Sequence, residues 1–264
     1  MLDVHPPHEP IYTWKGFAVH IATIVIGLLI AVGLEQSVEY VHRRHQAEIF
    51  EEHLRADLRE EDWTYEFLLT YNREVLAHAE RAVLALEGKT VLPNEALLIS
   101  AYRATQYKNR LRRRATFDEL ISTGTISLIR DQRLRITAMQ VYNSPTLDVL
   151  AREGQESRYR EAFRMSLPTD VQRMLNRECG DRYVQPGDFS ALQGVLDHPC
   201  STGLPPQVID EAVKALRSDP KLIGILRLRI ADLDTRLVDL TSNNRVLFEN
   251  LRTIAKQAGA PVGK

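Results

Sequence analysis

The sequence predicts an all-α protein. An N-terminal transmembrane helix continues into a long helix, which packs with the C-terminal helix as an elongated bundle or coiled-coil-like hairpin. Three observations predict this. Roughly 18 residues from Phe17 to Leu34 carry no formal charge, enough for a membrane-crossing helix. Neither proline nor glycine interrupts the chain from Glu35 to Glu87. From Ile230 to Ile254 apolar residues recur at alternating spacings of three and four, while no segment keeps the two-residue period of a strand.

Composition narrows the class. The 264 residues are 26% charged and 44% hydrophobic, which suits a folded chain rather than a disordered one. A net charge of −1 gives no global field that would draw the chain to nucleic acid. No Ser/His/Asp set, phosphate loop, paired-carboxylate cleft or dinucleotide fingerprint appears, so the reading is a non-enzyme without cofactor or metal.

Residues 1–16 form a polar, proline-bearing leader, and residues 17–36 the anchor. Tyr12 and Trp14 precede the apolar run and Tyr40 follows it, as interfacial aromatics would. Two rivals are a soluble core helix and a cleaved signal. A core helix seldom runs this long uncharged, and a signal wants a basic start and an Ala-x-Ala-like exit. Here the start, "MLDVHPPHEPIYTWK", is acidic and proline-rich, and the exit "AVGLEQ" runs into helical pattern, so the anchor is read as uncleaved. His20, Thr23, Gly27, Ala31 and Glu35 fall on one face, a spacing that lets two helix backbones approach. The bland alternative is that glycine and alanine are common in spans.

Residues 37–258 are read as the helical domain and 259–264 as a flexible tail. A heptad seam runs through Ala47, Glu51, Leu54, Leu58, Glu61, Tyr65, Leu68, Asn72, Val75, Ala79, Ala82 and Leu86. Its polar members suit a bundle helix better than a strict coiled coil. Trp63 and Tyr65 read as core. "GKTVLPN" is a turn, followed by a helix from about Pro93 to Tyr107. Thr116 and Glu119 have capping-box spacing, Gly124 suits a left-handed stop, and Asp131 can cap a helix reaching the 150s or beyond. A short helix spans Pro168–Cys179, with Thr169 or Asp170 near its start. Residues 180–206 gather glycine and proline and read as a loop with at most one helical turn. Helix resumes near Pro206, and the last one runs from Asp219-Pro220 to about Gln257 along Ile230, Leu233, Leu237, Leu240, Asn244, Leu247, Leu251 and Ile254.

Four features outside the span are candidate sites. Cys179 and Cys200 flank the irregular loop and could close it as a disulfide in an oxidising compartment; two free thiols are the alternative. A metal site from Cys179, Asp197, His198 and Cys200 is disfavoured, since the spacing matches no zinc pattern. Arg110, Arg112, Arg113 and Arg114 form a basic knot that could hold anions or lipid headgroups, or be a solvated helix end. Asn72 and Asn244 lie on the two seams, where a buried asparagine can fix register.

"HIATIVIGLLIAVGLEQSVE" and "TFDELISTGTISLIRDQRLRITAMQVYN" together resemble a family of uncharacterised bacterial single-pass membrane proteins with an "IVIGxLIA" core and an α-helical domain. The resemblance covers the first third and the middle of the chain, and departs from the family pattern at the arginine knot and the cysteine loop. It implies a membrane location and a helical fold, and no activity. The expectation is therefore a membrane-anchored interaction or scaffold protein, with a sensor-like ligand-binding bundle, capped by the 180–206 loop, as the alternative. Expected partners are the lipid bilayer and either a second copy or another membrane protein, with no nucleic acid. The expected site is the bacterial inner membrane. Lys15 alone precedes the span, and Arg43, Arg44 and Arg55 follow it among acids, a bare count that favours a cytoplasmic domain. The cysteine pair and short leader favour an extracytoplasmic one, which is the reading adopted.

Overall fold

The computed structural model describes residues 14–257. The leader before Trp14, with Tyr12, and the tail at 259–264 lie outside them. Every regular element among the described residues is helical. Helix α1 spans Trp14–Leu86, α2 Asn94–Arg103, α3 Ala115–Ser122, α4 Gln132–Asn143 and α5 Thr146–Gln155. Then follow α6 (Arg158–Ser166), α7 (Thr169–Cys179), α8 (Pro206–Arg217), α9 (Pro220–Val238) and α10 (Arg245–Gln257). The chain divides into two compact units, with the boundary after Phe50.

The first unit contributes only the opening half of α1. Each side chain from Phe17 to Gln46 is exposed. What stabilises this stretch is therefore local. Thr23 Oγ1 donates to the Val19 carbonyl at 2.9 Å, and Ser37 Oγ to that of Gly33 at 2.7 Å. Arg43 pairs with Glu39, and Arg44 with Glu48 at 3.3 Å, one turn apart.

The second unit is built around the remainder of α1. Of the predicted seam, Ala47, Leu54, Leu58, Glu61, Tyr65, Leu68, Asn72, Val75, Ala79, Ala82 and Leu86 are buried, and Glu51 is half-buried. Burial is wider than a seam, however. Asp62, Trp63, Phe67, Leu69 and Tyr71 are buried too, so this part of α1 is enclosed on several faces. Trp63, Phe67 and Tyr71 stack along one side at 5.2 and 5.9 Å between ring centres. Toward Leu86, the alanines of α1 admit close approach of Leu97, Leu98, Phe163, Leu175, Leu216 and Leu226 into one core. The C-terminal helices run back along α1. Arg227 on α9 pairs with Glu87, whereas Phe248 on α10 stacks on Tyr65 at 3.9 Å and Arg252 pairs with Glu66.

Three expected details change. Thr116 and Glu119 form no capping box, because α3 begins at Ala115 and Thr116 is already inside it; its N-cap is Arg114, with no side-chain cap bond. The helix started by Asp131, whose carboxylate accepts the Leu134 N–H at 3.0 Å, stops at Asn143. Pro145 cannot continue it, and α5 and α6 replace the single long helix. The last heptad is interrupted: a π-turn at Asp239–Asn243 inserts extra backbone between α9 and α10. Gly124 does stop α3, at φ +70°.

One buried group is held at a cost. Asp62 Oδ1 has no hydrogen-bond partner, and burial, reinforced by Glu66, pushes its pKa up to about 6. The folded chain therefore retains a proton that the unfolded chain releases between about pH 4 and 6. The penalty is complete above that window and vanishes below it. Asp62→Asn should raise stability by about 2 kcal/mol at pH 8, with the gap to wild type closing toward pH 4. Urea titrations at several pH values check this; a gap independent of pH would rule it out.

Candidate functional site

The residues singled out in the sequence fall into four places. His20, Thr23, Gly27, Ala31 and Glu35 share one exposed face of α1, and a Cβ added at Gly27 meets nothing within 4 Å.

Cys179 and Cys200 are bonded to each other, with 5.4 Å between their Cα atoms. Their sulfurs are therefore not thiolates. Among the described residues no group of three or more His, Cys, Asp or Glu is placed to hold a metal. Cys179 ends α7 and is fully buried, so the bond ties the loop to the core.

The loop is fastened by charge as well. Glu74 on α1 accepts the backbone N–H groups of Gly194, Leu196 and Asp197 at 2.7, 2.8 and 3.1 Å. Gly194 at φ +70° gives the loop the left-handed residue this turn contains. Arg103, buried at the end of α2, donates to the carbonyls of Cys179 and His198 at 3.3 and 2.8 Å. Glu95 accepts the N–H and hydroxyl of Thr202, each at 2.7 Å. The loop is thus a strap pinned flat to α1 and α2.

Beneath the strap, His78 lies 3.2 Å from an Asp197 carboxylate oxygen and 3.5 Å from both Arg81 and Arg103. Burial, with the two guanidinium groups, pushes its pKa down to about 4, against the opposing pull of Asp197. The ring is neutral near pH 7. Both nitrogens are engaged by neighbours, and the contact with Asp197 ties the ring to the strap. His78, Glu74 and Arg103 were not legible as a set, since they come from α1 and α2 and meet only through the loop.

Three of the four arginines of the knot pair with acids of the same chain. Arg112 forms an ion pair at 3.0 Å with the buried Glu61, and its own side chain is 9% exposed. It also donates to the carbonyls of Val141 and Ser144 at 2.9 and 3.3 Å. Arg113 pairs with Glu60 and Arg114 with Asp118, both at 2.9 Å. Arg110 lies over the Trp63 ring, 4.3 Å from its centre. The partners of Arg112 and Arg113 are acids of α1, remote enough in sequence to escape a reading by spacing, whereas Arg114 and Asp118 lie four residues apart.

Asn72 and Asn244 do not bond each other. Asn72 donates to the Leu68 carbonyl of its own helix at 2.8 Å. Asn244 donates to the Asp239 carbonyl at 3.0 Å, closing the π-turn. Asn244 thus marks the break in the heptad, where the sequence suggested a register lock.

No protein-family model, curated protein or solved structure matches this chain.

Two stability measurements follow from this geometry. Arg112→Ala strands Glu61 as an unpaired buried charge and should cost about 3–5 kcal/mol, against about 0.5 kcal/mol or less for Arg114→Ala at an exposed pair. Equal losses by urea denaturation would refute the distinction. Replacing both cysteines by serine releases a loop with a sequence separation of 21 and should cost about 3 kcal/mol. A double variant as stable as the oxidised parent would count against that role.

Proposed function

We propose that this chain is a single-pass membrane-anchored interaction protein. Its apolar helix crosses the bacterial cytoplasmic membrane and carries the helical domain on the extracytoplasmic side. One observation carries the reading: α1 has a stretch long and apolar enough to cross a membrane, and none of that stretch is buried against the protein. Left in water, its exposed Ile, Leu and Val side chains would cost about 25 cal/mol per Å² of apolar surface; a bilayer removes that cost. The disulfide supports the extracytoplasmic side, because thiols stay reduced in most cytoplasmic proteins. The face of Thr23, Gly27 and Ala31 is the contact for a second copy or another span.

Two experiments test this. After membrane isolation the chain should resist alkaline carbonate extraction, and an alkaline phosphatase fusion at Lys264 should be active. A fluorescent-protein fusion at Lys264 that is bright while the phosphatase fusion is silent would reverse the topology. Crosslinking in membranes should trap a dimer that Gly27→Leu weakens several-fold; a dimer yield unaffected by the substitution would remove this face from the contact.

A further inference from the structure

Three arginines outside the knot behave differently from those in it. Arg160 and Arg164 lie one turn apart on α6, and Arg173 lies on α7. They line a single pocket of about 310 Å³, between the end of α2 and the corner where α6 turns into α7. No carboxylate lines it. Elsewhere in this unit Arg55, Arg112, Arg113, Arg227, Arg236 and Arg252 each sit against an acid.

The sequence places these groups by helical spacing. On α7, Val171, Leu175 and Cys179 face the core, which turns Arg173 and Asn176 outward toward the pocket. On α6, Tyr159 and Phe163 are buried, and Arg160 and Arg164 flank Phe163 at the rim. Like charges at i and i+4 repel, and here burial of Arg160 sharpens the repulsion. The corner is stiff: the Gln172 side-chain amide donates to the carbonyls of Arg164 and Leu167 at 2.7 and 2.8 Å. Separation of the arginines by local rearrangement is thereby opposed.

The neutral groups are poised as donors too. Tyr102 donates its hydroxyl to Asn176 Oδ1 at 3.1 Å, which turns the Asn176 amide N–H groups toward other acceptors. Burial pushes the Tyr102 pKa up to about 12, so its proton stays in place. Arg160 makes contacts of its own, donating to the Thr105 carbonyl at 3.3 Å and resting over the Tyr107 ring at 4.8 Å. Neither neutralises its charge. Both fix the direction of the guanidinium.

We propose that this pocket binds a small multivalent oxyanion, held by Arg160, Arg164 and Arg173 with Asn176 as a neutral donor. Guanidinium groups take phosphate or carboxylate oxygens in pairs, and three of them match a ligand with two or more such groups. The volume lies at the small end of ligand pockets, which favours a compact ligand over a polymer. The same chemistry is available from a soluble compound or from a phospholipid headgroup. The site stands on its own geometry and does not depend on the topology proposed above.

The test is a titration of the full chain in zwitterionic detergent with pyrophosphate and with citrate, at ionic strength held constant with potassium chloride. Calorimetry should show binding by at least one probe, with a matching rise in Tm. Arg164 and Arg173 are exposed, so Arg164→Ala/Arg173→Ala should fold normally and lose tenfold or more in affinity. Arg177→Ala, which removes an exposed arginine of α7 paired with Glu178, should bind as the parent does. In phosphatidylcholine nanodiscs with added phosphatidic acid, loss of pyrophosphate binding by competition assigns the ligand to a headgroup; unaltered binding assigns it to a soluble anion. Failure of both probes to bind, equal stabilisation by acetate, or full affinity in the double variant overturns the proposal.

Discussion

The fold of the second unit depends on one buried ion pair. Glu61 is enclosed within the helical domain, and burial raises the pKa of its carboxyl. Arg112 opposes that shift and brings the segment that carries it onto α1. The same guanidinium reaches the Val141 and Ser144 carbonyls, near the Pro145 corner where α4 gives way to α5. One side chain thus joins the long helix, the irregular 104–114 segment and a helix end. Such pairs contribute less to net stability than to uniqueness, because an alternative packing would bury Glu61 without its partner. A purely apolar contact at this position would tolerate sliding; the fork of Arg112 does not.

The same device recurs along α1. Glu51 accepts the backbone N–H groups of Arg130 and Asp131, and Glu74 those of the strap at 194–197. In each case a carboxylate on the long helix satisfies backbone donors of a segment that has no ladder of its own. Buried donors must be paired, and irregular segments cannot pair themselves. The long helix therefore does two jobs: its apolar faces collect the other helices, and its acids collect the loops. The disulfide adds a covalent limit at Cys179, where the strap leaves α7.

Legibility followed the range of the forces involved. The length of α1, the seam from Leu54 to Leu86, the Asp131 cap, the Gly124 stop and the irregular loop all rest on local pattern, and each was readable. The ion pairs of Arg112 and Arg113 were not legible, because their partners, Glu61 and Glu60, lie about fifty positions upstream. Thr116 and Glu119 had the right spacing and the wrong helix start. Asn244 sat in a faultless heptad that one π-turn breaks. The pocket at Arg160, Arg164 and Arg173 escaped notice because its lining is divided among the end of α2, α6 and α7, and none of these residues forms a motif.

By itself the sequence determined the helical class, the uncharged membrane-length stretch and the apolar faces, since periodicity and charge act within a few turns of one helix. It also set which cysteines could bond. Only the tertiary structure decided which arginines were neutralised and which were left facing a pocket without an acid. That outcome depends on where distant carboxylates arrive when the core closes, and burial then fixes the choice, because a charge withdrawn from water must meet a partner within a few ångströms.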